Sequence, residues 1–351
     1  MREIKLDSVY SVARSYALKS YLLPYPSIEE LVDSRSLEDF VDRLRATPYG
    51  SHLAQMQRPI TPIRVERALW RSLVDTHFSM MRTSHNRPIL DAYFSRHLHI
   101  NLKAVLRGKA IGKSYEEIME TVDLYPETLL HVRDQVMRAV NARDIQSAVA
   151  EVAKTELGNV ARISLRVWSE HKDLAAFDAA VDRIFLENLL TSYQRLSKSD
   201  RKDYKAIISL DVDTGIAVTI LRLRSWGVLP PDVVKFIPKA GVEIGDEDIR
   251  GLLDVKEPGE AVSILSGAFA WLRTTAVKDF QTLIRELERM AVEAKISLAS
   301  KYYFRRPMRN VLTLAILILK EAEVRNLATI ATGLYEAQPS SSIISRLVKT
   351  V

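Results

Sequence analysis

The amino-acid sequence predicts an all-α protein, and three observations carry that expectation. Leu, Ala, Arg and Glu, all good helix formers, are abundant. Apolar residues recur at helical rather than alternating spacing. The 351 residues hold only 12 glycines and 13 prolines, about 7% of the chain against a usual share of about 12%.

Taken in order, residues 7–23 read as a first helix, with Tyr10, Ala13, Ala17 and Leu18 near helical spacing and Pro24 and Pro26 closing it. Ser36 followed by Asp39 reads as a cap for a short helix through Leu44. Pro59 and Pro62 mark a break. A long helix follows over 63–81, with Val65, Leu69, Leu73 and Phe78 among its core residues, and a helical partner over 89–107. Ser114 and Glu117 form a second capping pair before Ile118. Tyr125-Pro126 opens a helix through LLHVRDQVMRAV, and further helices are expected over 144–154, 173–196 and 204–224. Pro230-Pro231 starts a short helix through Phe236. Residues 238–260 are read as an irregular loop with four internal glycines, Pro258 and seven acids: Glu243, Asp246, Glu247, Asp248, Asp254, Glu257 and Glu260. Helices over 261–271 and 277–303 follow, and Pro307 introduces the last long helix, towards Tyr335.

Composition excludes several functions. There are no cysteines, so there is no disulfide, no thiol nucleophile and no thiolate-held zinc or iron–sulfur centre. The net charge of +6 comes from 50 bases interleaved with 44 acids, without the basic tract or reading motif of a nucleic-acid binder. The longest apolar run, 311–319, is nine residues, interrupted only by Thr313; crossing a bilayer takes about 20. The start carries Arg2, Glu3, Lys5 and Asp7 instead of an apolar leader, which predicts no export. Gly108-Lys109 and Gly112-Lys113 lack the GxxxxGK[ST] frame of a phosphate-binding loop. The seven histidines show no HExxH-type spacing, and His97 and His99, two apart, do not share a helical face. The acids of 243–260 lack the ligand order of a calcium loop. No catalytic, metal or cofactor residue is predicted.

Three segments share a frame: 98–108 (LHINLKAVLRG), 213–223 (DTGIAVTILRL) and 323–333 (EVRNLATIATG), starting 115 and 110 residues apart. The frame is an acid, an Asn three residues on, an aliphatic, and an Arg six residues beyond the Asn. The first copy keeps Asn101 and Arg107 but has Leu98 for the acid. The second keeps Asp213 and Arg222 but has Ile216 for the Asn. The third keeps Glu323 and Asn326 but has Thr332 for the Arg. On a helix the acid and Asn positions share a face, so they are expected to brace a neighbouring helix beside the core. The Arg, about two and a half turns on, is expected to reach another helix or a partner.

With these motifs in place the chain resembles a known family. Tyr10 to Arg14 with Leu22-Leu23, Asn101 to Lys109, Phe177-Asp178 through Asn188 with Asp213 and Arg222, and Glu321 to Leu327 with Gly333 look like successive motifs of the central-axis C subunit of A-type ATP synthases, which is similar to the d subunit of vacuolar ATPases. The resemblance covers nearly the whole chain. It implies a funnel-shaped assembly of three similar helical-bundle units with pseudo-three-fold symmetry, divided near 1–115, 116–230 and 231–351 with elements interleaving. It implies a non-catalytic rotor component at the cytoplasmic face of the cell membrane, associated peripherally. Its partners would be the membrane proteolipid ring and the central stalk subunits, between which it transmits torque. Candidate interface residues are Trp226, Trp271, Tyr302, Tyr303 and Phe304, with Arg305, Arg306 and Arg309 of the RRPMR segment facing acidic headgroups or a partner. Two other readings stay open on residues alone: an unrelated all-helical scaffold or adaptor, and a helical enzyme with dispersed active residues.

Overall fold

The computed structural model describes residues 6–273 and 277–350, so the charged start at Arg2, Glu3 and Lys5 lies outside the described residues. Every helix or strand assigned among the described residues is helical. The order is α1 (Leu6–Ser20), α2 (Tyr25–Glu30), α3 (Leu37–Arg45), α4 (Gly50–Leu53), α5 (Pro62–Thr83) and α6 (Arg87–Ala110). Then come α7 (Tyr115–Met119), α8 (Tyr125–Leu129), α9 (Arg133–Asn141), α10 (Ile145–Val152), α11 (Gly158–His171), α12 (Leu174–Gln194) and α13 (Lys198–Ser225). The chain ends with α14 (Pro230–Val233), α15 (Asp246–Asp254), α16 (Pro258–Ala268), α17 (Phe280–Arg305), α18 (Leu312–Tyr335) and α19 (Ser340–Ile344).

Side-chain caps set several helix starts. Ser36 Oγ accepts from the Asp39 N–H at 3.2 Å, and the Asp39 carboxylate accepts from the Arg35 N–H at 2.9 Å. Ser114 and Glu117 exchange both bonds of a capping box, at 3.2 and 2.8 Å. Ser197 Oγ accepts from the Asp200 N–H at 3.1 Å, so α13 starts ahead of the expected 204.

Two expectations are corrected. The helix opened by Tyr125-Pro126 is broken in two, because His131 takes a left-handed φ of 59°. The Val132 N–H then closes onto the Glu127 carbonyl at 2.9 Å. The acid-rich stretch 238–260 is not loop throughout: it contains all of α15 and the start of α16. Asp246, Glu247 and Asp248 fill the first turn of α15, where the helix dipole favours negative charge, and Asp248 accepts from the Gly245 N–H at 3.0 Å.

The chain divides into two compact units, one of residues up to Leu90 with those from Lys295 on, the other Asp91–Ala294. In the first, α18 packs most extensively on α5 and also meets α1 and α3. Its core gathers Leu37, Phe40, Leu44 and Tyr49 from the N-terminal side with Val324, Leu327, Ile330 and Ile343 from the C-terminal side. In the second, α9 packs on α10, α11 on α12, α12 on α13 and α13 on α15. Its core gathers Leu102, Val105 and Leu106 of α6 with Ile118, Val149, Val152 and Phe177. In both units a long helix buries an aliphatic stripe against shorter helices, which amphipathic spacing dictates.

The long helices α6, α13 and α18 end alike. A residue two past each end has positive φ: Gly112 at 74°, Gly227 at 81° and Ala337 at 52°. The next residue's N–H bonds five residues back in every case: Lys113 to Gly108 at 2.8 Å, Val228 to Leu223 at 3.0 Å and Gln338 to Gly333 at 2.9 Å. These are Schellman closures, and glycine serves the first two because it takes a left-handed φ without steric cost. The short helices α7, α14 and α19 follow at the same interval, burying Ile118, Val233 and Ile343.

A second local repeat, which the sequence reading missed, relates residues 36–53 to 144–161. Thr47 Oγ1 donates to the Leu44 carbonyl at 2.6 Å and accepts from the Tyr49 N–H at 3.3 Å. Thr155 Oγ1 does the same with Val152 at 2.8 Å and Leu157 at 3.2 Å. The signal was present as a Ser or Asp cap, a Thr eleven residues on and a Gly three beyond that.

Candidate functional site: buried polar clasps on the long helices

The repeat frame is the structure's principal set of buried polar contacts with named sequence candidates. Asn101, buried on α6, donates from its amide to the Asp123 carbonyl at 2.8 Å and to both carboxylate oxygens of Glu127 at 3.0 Å. Its carbonyl accepts from the Asp123 N–H at 3.3 Å. Asn326, buried on α18, donates to the Val348 carbonyl at 2.7 Å and accepts from the Val348 N–H at 2.9 Å. Each asparagine thus bridges both backbone groups of the residue 22 positions downstream. One amide side chain supplies a donor and an acceptor in the geometry of a peptide group, so it clasps a loop to a helix as a strand pair would.

The acids make a different clasp. Asp213 on α13 accepts from the N–H groups of Val242, Glu243 and Ile244 at 2.7, 2.8 and 3.4 Å, and from the Ser209 hydroxyl at 2.6 Å. Glu323 on α18 accepts from the Leu23 N–H at 2.6 Å, the Tyr49 hydroxyl at 2.5 Å and Lys320 Nζ at 3.1 Å. Lys320 Nζ also lies 3.7 Å from the centroid of the Tyr49 ring. Both acids hold backbone of a loop that the sequence places elsewhere. In the first copy, Leu98 at the acid position joins the core.

Burial sets the electrostatics. Glu127 is fully buried, and desolvation lifts its carboxyl to about 7; the Asn101 amide opposes this and the charges of Asp123 and Glu156 reinforce it. Burial also raises Asp213, against the Ser209 hydroxyl and the loop N–H groups. Burial raises Tyr49 well above the ordinary phenol range, and the charge of Glu323 adds to this. Lys320 is lowered by burial against the attraction of Glu323. Burial holds His99 down at about 4, so it stays neutral at ordinary pH.

The frame arginines reach other helices. Arg107 Nη1 pairs with Asp178 of α12 at 2.5 Å, beside a Lys103–Asp182 pair at 2.6 Å. Arg222 Nη2 pairs with Glu288 of α17 at 3.0 Å. Of the aromatic candidates, Trp226 is 57% exposed and Phe304 77% exposed. Trp271 is half-buried and stacks on Phe269 at 5.1 Å between centroids. Tyr302 and Tyr303 are buried, and the Tyr303 hydroxyl donates to the Ser15 carbonyl at 3.2 Å. Arg305 is exposed, and Arg306 and Arg309 are half-buried.

Sequence reading did not single out Asp123, Glu127, Tyr49, Lys320, Val348 or the backbone of 242–244. Asp123 and Val348 share one regularity, each standing 22 residues past its Asn, which becomes meaningful only once the contacts are seen. Among the described residues no His, Asp and Glu cluster suits a metal ion, and no helix is long and apolar enough to cross a membrane. The contacts fit mechanical joining of helices and loops.

Comparison with known proteins points the same way. The family model for the ATP synthase (C/AC39) subunit matches residues 11–346. The C subunit of the A-type ATP synthase of Methanocaldococcus jannaschii is 23% identical over 97% of this chain and 86% of its own length. That of Methanothermobacter thermautotrophicus is 25% identical over 92% and 82%. The C subunit of the V-type ATP synthase of Thermus thermophilus is 29% identical over 64% and 65%. A match that runs through all three frame helices and both clasped asparagines places the chain in the ATP synthase (C/AC39) subunit family.

Proposed function

We propose that this protein is the central rotor coupler of an A/V-type ATP synthase, a socket between the membrane proteolipid ring and the central stalk. It carries no catalysis of its own, in keeping with a family whose members are non-catalytic components of that complex. Ion flow turns the ring, the coupler turns with it, and the stalk drives the catalytic headpiece; in hydrolysis the direction reverses. It works from the cytoplasmic face as a peripheral component.

The observation that carries this reading is the recurrence of one helix ending at Gly112, Gly227 and Ala337, 115 and 110 residues apart. It supports three similar helical units forming a funnel with pseudo-three-fold symmetry. On this reading the third unit takes α2–α5 from the start of the chain, since α3 and α5 share a core with α18. A torque-bearing part must resist shear, and close-packed helices tied by buried hydrogen bonds supply stiffness. Asn101, Asp213, Glu323 and Asn326 act as the ties, Arg107 and Arg222 as cross-braces, and Trp226 as an exposed anchor. Membership of the family removes the alternative of an unrelated scaffold.

The test is capture of the tagged protein from gently solubilised membranes, followed by mass spectrometry. Proteolipid and stalk subunits are expected in the eluate; their absence refutes the coupling role.

A further inference from the structure

We propose that the turn between α17 and α18, with the end of α1 packed beside it, is a contact surface for an anionic lipid bilayer. The proposal rests on the coupling reading only for bringing the protein to a membrane.

Three observations support it. The first is charge. Lys301 and Arg305 are exposed beside the turn, and residues 294–319 contain no Asp or Glu. Residues 8–28 likewise contain no acid and hold Arg14 and Lys19. The two stretches meet: the Tyr16 ring sits edge-on to Tyr303 at 5.2 Å, and Lys19 Nζ lies 4.5 and 5.3 Å from the Tyr303 and Phe304 ring centroids. The second is apolar exposure at the tip. Phe304 is 77% exposed and Met308 61% exposed, while Tyr303 beneath them is buried. The third is backbone. Met308 is held at a φ of 61°, a conformation seldom adopted outside glycine, and the turn is closed by Arg306 N–H to Tyr302 O at 2.8 Å and Arg309 N–H to Arg306 O at 3.2 Å.

Apolar tips ringed by long basic side chains suit a layer of anionic headgroups. The aromatic and thioether groups enter the acyl boundary, while guanidinium and ammonium groups stay among the phosphates. Exposed basic side chains around apolar tips complement a negatively charged surface with an apolar layer beneath it.

The experiment is co-sedimentation of the full chain with vesicles of phosphatidylcholine alone or mixed with phosphatidylglycerol. The wild type is expected to pellet with the anionic vesicles only, and less so as salt rises. Phe304→Ser and Arg305→Glu, both at exposed positions and checked for unchanged unfolding, are each expected to weaken partitioning by about tenfold or more. Equal binding to both vesicle types, no binding, or variants that bind like the wild type would overturn the proposal. So would binding confined to vesicles carrying the proteolipid ring, which would assign the patch to a protein partner. Capture of ring and stalk subunits, measured on the same variants, reports the coupling role separately.

Discussion

Glu127 offers the sharpest test of the clasps. Its carboxyl sits fully buried under the Asn101 amide, lifted from 4.5 to about 7. The unfolded chain ionises it above the lower value, while the folded chain keeps it protonated up to the higher one. Between these values the folded state holds more protons, so stability falls as pH rises through the window and levels off above it. A shift of two and a half units amounts to about 3 kcal/mol in full, of which about 2.5 kcal/mol falls between pH 5 and pH 8. Glu127→Gln keeps the shape and an oxygen to accept from Asn101, but cannot ionise. Urea unfolding of both proteins at the two pH values isolates this contribution as a difference of differences. The variant is expected to gain on the wild type by about 2.5 kcal/mol on going from pH 5 to pH 8. If the two proteins lose stability in parallel over that range, Glu127 is not a neutral buried group and the clasp does not work as described.

Other outcomes follow from the same geometry. Asn326→Ala removes both bonds to Val348; a loss of about 1–2 kcal/mol is expected, with faster hydrogen exchange at the Val348 amide. Ala337→Gly relieves a left-handed φ of 52° and should raise stability by about 1 kcal/mol, whereas Gly227→Ala should lower it by a similar amount; thermal unfolding distinguishes the signs. Arg222→Ala breaks a pair in which both side chains are nearly half exposed, so it should cost about 0.5 kcal/mol or less. Arg107→Glu places a negative charge against Asp178, one of whose oxygens is buried and already unpaired, and should cost clearly more in the same denaturant assay.

The caps at Ser36 and Ser114, the breaks at Pro24 and Pro59 and the frame residues Asn101, Asp213, Glu323 and Asn326 were all readable in the sequence. Each rests on interactions within a few residues or on spacing along one helix. The helix break at His131 was not, since no Gly or Pro marks it. Nor was α15, whose glycines and acids look like a loop until the first turn is seen to use the acids. The clasp partners were invisible because they are chosen by folding: Glu323 meets Leu23 and Tyr49, 300 and 274 residues away.

The sequence alone determined an all-helical chain, many of the places where its helices start and stop, and which polar residues stand on the inner face of three long helices. Local propensity, capping and periodicity are encoded within a turn or two, so they need no tertiary context. Only the tertiary structure decided what those residues hold, because a buried carboxylate or amide takes its meaning from the groups that replace water around it. Burial turned Glu127 into a proton-holding group and tied the two ends of the chain into one core around α18.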